Sequence, residues 1–125
     1  MLVRSGLQAT VELEVAPGDT ARALGSGDVD VLGTPKVICL CEQASVAALA
    51  GHLQEGQTSV GSRVELTHLA PTRVGAVVRA CATLEKTEGR RLVFSVSVSD
   101  ACGLVAAGKL TRVVVDRAAF LDKAR

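Results

Sequence analysis

One long helix in a chain otherwise patterned for strands is the feature that most restricts how this sequence can fold. Between Lys36 and Glu55 lie eighteen residues with a single formal charge, Glu42. Just ahead of them, Thr34-Pro35 has the form of a helix start. A hydroxyl residue stands at the N-cap and a proline at the first helical position, where its missing N–H would be unpaired anyway. The spacing predicts a helix from Thr34 to about Leu53, with Gly56 as the stop signal. Apolar residues between Val37 and Leu49 nearly encircle it, as in a helix covered on most sides.

The remaining sequence provides that cover. "TVELEV" (10–15) alternates Val11, Leu13 and Val15 with Glu12 and Glu14, the period of a half-buried strand, and ends at the turn signal "APGD". "ARALGSGDVDVLG" (21–33) keeps no period and reads as a mobile loop leading into the helix. After "QEGQ", four strand patterns follow. "SVGSRVELTHL" puts Val64, Leu66 and His68 on one face. "GAVVRACATLEK" alternates, as do "RLVFSVSVS" and "LVAAGKLTRVVV", and "RAAFLDKA" is a short closing helix. The fold class is α+β: a long helix against one curved antiparallel sheet whose last four strands meander, in a single domain over residues 1–125. A sheet of that kind leaves an edge for a partner.

Composition removes several function classes. Fourteen Lys and Arg against thirteen Asp and Glu leave a net charge of +1, and the only aromatics are two Phe. A nucleic-acid surface needs clustered positive charge and stacking platforms, so none is expected. The apolar run holds Glu42, Gln43, Ser45 and His52, so no membrane span is expected. The N-terminus alternates and has no signal-peptide pattern, which together with free thiols fits the cytoplasm. Cys39-x-Cys41 has neither zinc nor CxxC spacing, so Cys39, Cys41, Cys81 and Cys102 read as small buried hydrophobes, with no metal or redox cofactor expected.

Three residues stand out chemically. An ionised Glu42 in an apolar helix either lies on a narrow solvent-facing edge or faces a water-poor cleft as base or nucleophile. His68 shares an apolar strand face, where a satisfied core histidine is the common case and a catalyst the alternative. Thr34 is explained by capping, yet it sits where free backbone N–H groups and the positive end of a helix dipole could hold an oxyanion. Hydroxyl, carboxylate and imidazole together suit acyl transfer.

The stretches "GTPKVICLCEQAS", "VGSRVELTHLAPTRVG", "EGRRLVFSVSVSD" and "GKLTRVVV" resemble the fluoroacetyl-CoA thioesterase-like family of the hotdog-fold superfamily. That pattern has Thr at the helix entrance, Glu eight residues on and His twenty-six beyond, matching the positions of Thr34, Glu42 and His68. The resemblance implies a hotdog fold, hydrolysis of an acyl-CoA thioester, and catalytic roles for those three residues. It also implies substrate contacts by Gly61, through close backbone approach, and by Arg112, through its guanidinium. The loop "ALGSGDVDVLG" lacks the bulky aromatics that the fluoroacetyl-CoA-hydrolysing member carries there, so the expected substrate is a different short or medium acyl-CoA. Coenzyme A enters only as part of that substrate, its phosphates met by Arg63, Arg73, Arg90 or Arg91.

On a straight helix, eight residues separate Thr34 from Glu42 by about 12 Å. Either the loop folds back over a helix that starts later, or the site draws on two subunits. Hotdog proteins typically pair strand edges as dimers, so the expectation is a homodimer. Rival functions are a non-catalytic acyl-CoA-binding or regulatory module and an acyl-CoA dehydratase.

Overall fold

The computed structural model describes residues 3–124. Along helix α2 (Thr34–Leu49) the buried residues are Val37, Leu40, Cys41, Ala44, Ser45, Ala48 and Leu49, whose three- and four-residue intervals make one continuous stripe. The other faces are open: Val46 is 50% exposed, and Cys39 and Ala47 are exposed too. The expectation of a helix covered on most sides is thus corrected. Small apolar residues sit on both faces, so apolarity alone overstated the cover. The helix also ends earlier than Leu53, because Ala50 leaves helical geometry (φ −56°, ψ 127°) and Gly51 takes φ 80°. A positive φ there costs a glycine little, whereas a side chain would be strained.

Five strands form one antiparallel sheet: β1 (Gln8–Glu14), β2 (Gln57–His68), β3 (Val77–Glu88), β4 (Arg91–Asp100) and β5 (Gly103–Asp116). Their order is β1-β3-β4-β5-β2. Only β3, β4 and β5 meander. β2 crosses to the far side of β5, which corrects the four-strand meander, since alternation fixes which way residues face but not which strand lies alongside. Helix α2 lies mainly across β1 and β3. Val78, Ala80, Ala82 and Leu84 of β3, with Leu92, Phe94, Val96 and Val98 of β4, fill the core beneath it. Ala80 and Ala82 let the helix come close, and Phe94 supplies bulk.

Strand β2 carries a bulge. Gly61 is opposite Arg112 and Arg63 is opposite Thr111, leaving Ser62 as the extra residue.

Residues 21–33 are not the structureless loop expected. Helix α1 (Ala21–Leu24) is capped by Thr20, whose Oγ1 accepts from the Ala23 N–H at 3.2 Å. Ladder contacts then tie the segment down: the Ala21 N–H donates to the Val31 carbonyl (2.9 Å) and the Leu32 N–H to the Thr72 carbonyl (2.8 Å). Gly and Asp serve the turns, and pairing over a long sequence distance orders the rest. The chain closes with helix α3 (Arg117–Asp122). No helix among the described residues is long and apolar enough to cross a membrane.

All four cysteines are free, but only Cys41 is buried. Cys39 and Cys102 are exposed and Cys81 is intermediate, so the uniform burial expected of them does not hold. Burial, aided by the Glu42 charge, raises the Cys41 pKa from 9.0 to about 11. At pH 8 its thiolate is scarce, and iodoacetamide with mass spectrometry should modify Cys39 and Cys102 long before Cys41. Between pH 9 and 11 the unfolded chain ionises this thiol while the folded chain does not. Stability present below pH 9 is therefore lost across that window, by about 3 kcal/mol. A Cys41→Ala variant should lack this component of alkaline destabilisation; identical alkaline melting curves would refute it.

Candidate active site

The helix entrance is built around a glycine. A Cβ on Gly33 would lie 3.0 Å from Leu24 Cδ1 and 3.1 Å from Ala21 backbone atoms, so any side chain there would push α1 away by a few tenths of an ångström. Gly33 is the N-cap of α2 and has no side chain to cap with. Thr34 is accordingly the first helical residue and not the cap, which corrects the expected helix start. Its hydroxyl is released for a distant partner: Thr34 Oγ1 lies 2.7 Å from His68 Nδ1. The bond holds in either direction, O–H to Nδ1 or Nδ1–H to oxygen.

His68 stands at the end of β2, opposite Ala106. Its Nε2 is buried without a hydrogen-bond partner. Nδ1 is the ring nitrogen that faces Thr34. Among the described residues nothing accepts from the Thr34 N–H, which lies at the positive end of the α2 dipole. A cavity of about 350 Å³ opens over this pair, between the 26–32 segment and Leu69–Pro71.

A second cluster lies along the helix. Arg112 of β5 is only 6% exposed. Its Nε donates to Ser59 Oγ at 2.8 Å and its Nη2 to the Ser59 carbonyl at 3.0 Å. Nη1 reaches Glu42 Oε2 and Ser45 Oγ, each at 3.5 Å. The Ser45 hydroxyl in turn donates to the Glu42 carbonyl at 2.6 Å. Burial lowers the Arg112 pKa from its ordinary value, and the Glu42 charge opposes that shift. An arginine so placed is still a cation at neutral pH.

Glu42 therefore has a counter-charge, and its side chain is 40% exposed. The carboxylate sits at the edge of the buried stripe, between solvent and the Arg112 guanidinium. Gly61 makes this possible, because a Cβ on it would come within 2.5 Å of Glu42 Oε2. Cys39, Gln43, Val46 and Ala47 complete a depression of about 390 Å³ around Glu42 and Arg112. It shares no lining residue with the cavity over Thr34 and His68.

One chain thus brings Thr34 to His68, and Glu42 to Arg112 and Gly61, but does not join the two groups. Ser45 and Ser59 were missed by sequence reasoning. Ser45 could have been noticed as a lone hydroxyl on the buried stripe; Ser59 carries no local signal. Of the arginines considered for the coenzyme, all four are exposed, and Arg63 is paired with Glu65 at 3.1 Å.

Comparison with known proteins gives this geometry a family. The family described as fluoroacetyl-CoA-specific thioesterase matches residues 15–118. The chain belongs to the fluoroacetyl-CoA-specific thioesterase family. The fluoroacetyl-CoA thioesterase of Streptantibioticus cattleyicolor is 33% identical over 98% of this chain and 93% of that protein. A crystal structure of the fluoroacetyl-CoA thioesterase superposes with a TM-score of 0.90 at 32% identity, covering 97% of this chain and 94% of the other. A hot-dog-like protein from Thermanaerovibrio acidaminovorans gives a TM-score of 0.89 at 30% identity, over 98% and 90% of the two chains. The architecture of this member of the fluoroacetyl-CoA-specific thioesterase family is a hotdog fold, as the resemblance implied.

Proposed function

We propose that this protein is an acyl-CoA thioesterase that hydrolyses a short or medium acyl-CoA to the free acid and coenzyme A. The observation that carries this is the 2.7 Å pairing of Thr34 with His68 at the open end of a helix, in a chain of a thioesterase family. The thioester carbonyl takes the position facing the Thr34 N–H, where the helix dipole favours a developing oxyanion. Oxygen, from the Thr34 hydroxyl or from a water it orients, attacks the carbonyl carbon while His68 Nδ1 accepts the proton. The C–S bond breaks, and the departing thiolate, a good leaving group, takes that proton back from His68 Nδ1, which leaves the imidazole neutral again. If Thr34 is acylated, water releases the acid in a second step. No cofactor beyond the coenzyme A of the substrate is required, and the ester would be met in the cytoplasm.

Glu42 acts, in this proposal, across a subunit boundary. It lies about 12 Å along the helix from Thr34, whereas β2 is an outer strand of the sheet and offers its free edge to a second copy. A homodimer paired there sets the Glu42–Arg112–Gly61 cluster of one protomer beside the Thr34–His68 pair of the other. The test is to mix the protein with acyl-CoA esters and follow free thiol, with light scattering on the same sample. Thiol release by a dimer supports the proposal. Binding of the esters without thiol release would make the chain an acyl-CoA-binding module instead, and an active monomer would remove the shared site.

A further inference from the structure

The cavity beside Thr34 and His68 measures about 350 Å³. Taking a methylene as roughly the volume of a water, about 30 Å³, a two-carbon acyl group would fill about a sixth of it. Its apolar wall comes from small and aliphatic residues: Gly27, Val29, Val31 and Leu32 on one side, Leu69 and Pro71 on the other. No phenyl ring narrows it, since Phe94 is in the core and Phe120 is in α3. The wall also holds Asp28. Arg22, the cation of this segment, is engaged by the Asp30 carboxylate at 3.0 Å and by the Asp28 carbonyl at 2.7 Å. Among the described residues the Asp28 carboxylate has neither a hydrogen-bond donor nor an ion-pair partner.

We infer that this cavity is the acyl subsite, that it selects uncharged aliphatic acyl groups of about four to eight carbons, occupying a third to two-thirds of the space, and that Asp28 rejects acyl chains ending in a carboxylate. The inference rests on the thioesterase proposal and specifies its substrate class. Each methylene moved from water onto Val29, Val31, Leu32 and Leu69 strengthens binding by up to about fourfold, the value for full burial, so a butyryl chain gains several-fold over acetyl. A terminal carboxylate brought towards Asp28 meets a like charge that no direct ion pair neutralises, an effect that added salt weakens.

The test is the kcat/KM for acetyl-, butyryl-, isovaleryl-, hexanoyl-, octanoyl-, pentanoyl- and glutaryl-CoA. Expected are a maximum between four and eight carbons, acetyl-CoA lower by about threefold or more, and glutaryl-CoA below pentanoyl-CoA of the same length. Val29 is 52% exposed, so Val29→Phe can fill the cavity without disturbing the core, and it should move the optimum towards acetyl-CoA. Gly27→Leu, whose Cβ meets Ala21 Cβ at an ordinary 3.4 Å, is the second filling variant. Asp28→Asn should raise the glutaryl-to-pentanoyl ratio. An optimum at acetyl-CoA, or ratios unmoved by either filling variant and by Asp28→Asn, would overturn the inference while leaving the thioesterase standing. No thiol release from any ester would overturn the thioesterase itself, and the same rank order would then be sought in the Kd values of the panel.

Discussion

Replacing His68 with alanine is expected to lower kcat for acyl-CoA hydrolysis by about a hundred- to ten-thousand-fold, the range for loss of a positioned acid–base group. Folding stability should change by less than about 1 kcal/mol. The imidazole is only half-buried, its one hydrogen bond is to Thr34, and its Nε2 already lacks a partner, so removing it breaks little that holds the chain together. Thr34→Val keeps the shape of the side chain without its hydroxyl and should cost a similar factor. Because the two groups share one proton path, the double variant should be scarcely slower than either single one. Rates that multiply, or a His68→Ala enzyme slowed less than about threefold, would show that the pair does not act as a unit.

The second large effect is structural. Gly108→Val should destabilise the fold by about 3 kcal/mol or more and lower the Tm by about 10 °C. A Cβ on Gly108 would overlap the Glu65 carbonyl oxygen and lie 2.8 Å from Leu66 Cα. Both are backbone of β2, which cannot step aside without leaving β5. The variant should also lose thioesterase activity and dimerisation together, since β2 carries His68 and the proposed contact edge. Thermal melting and light scattering read the two losses; a variant that melts within 3 °C of the parent would refute the close-approach argument. Gly61→Ala is an instructive contrast, because its added methyl meets the far end of the Glu42 side chain, which can swing away. It should leave stability nearly intact and disturb the Glu42–Arg112 pair.

Much of this architecture was legible in the sequence because it depends on local periodicity. Val78 to Leu84 and Leu92 to Val98 alternate in the sequence as they do in burial, and α2 was found from its proline and its apolar run. The failures have long-range causes. The hydroxyl-then-proline rule placed Thr34 at the N-cap, but the cap is Gly33, closely packed against Ala21 and Leu24, and His68, thirty-four residues from Thr34, claims the hydroxyl. Glu42 was ambiguous because its partner Arg112 lies seventy residues on, in a strand that pairs with β2 and not simply with its sequence neighbours. The positions of Gly61 and Arg112 were reached through resemblance alone, and the Ser45 and Ser59 bonds that hold the guanidinium were not reached at all.

The bulge at Ser62 decides how the halves of this protein relate. In a regular strand, Gly61 and His68, an odd number of positions apart, would point to opposite sides of the sheet. The additional residue resets the alternation, so Gly61 meets Glu42 and His68 meets Thr34 on the same helical side. Straightening the bulge with Ser62 kept in the ladder would leave the amino-acid inventory of the site whole and turn one end of it inside out, whereas removing Ser62 together with the bulge would keep Gly61 and His68 on one side. A single residue added to the paired stretch between Arg63 and His68, with the bulge unchanged, would split the enzyme down its middle.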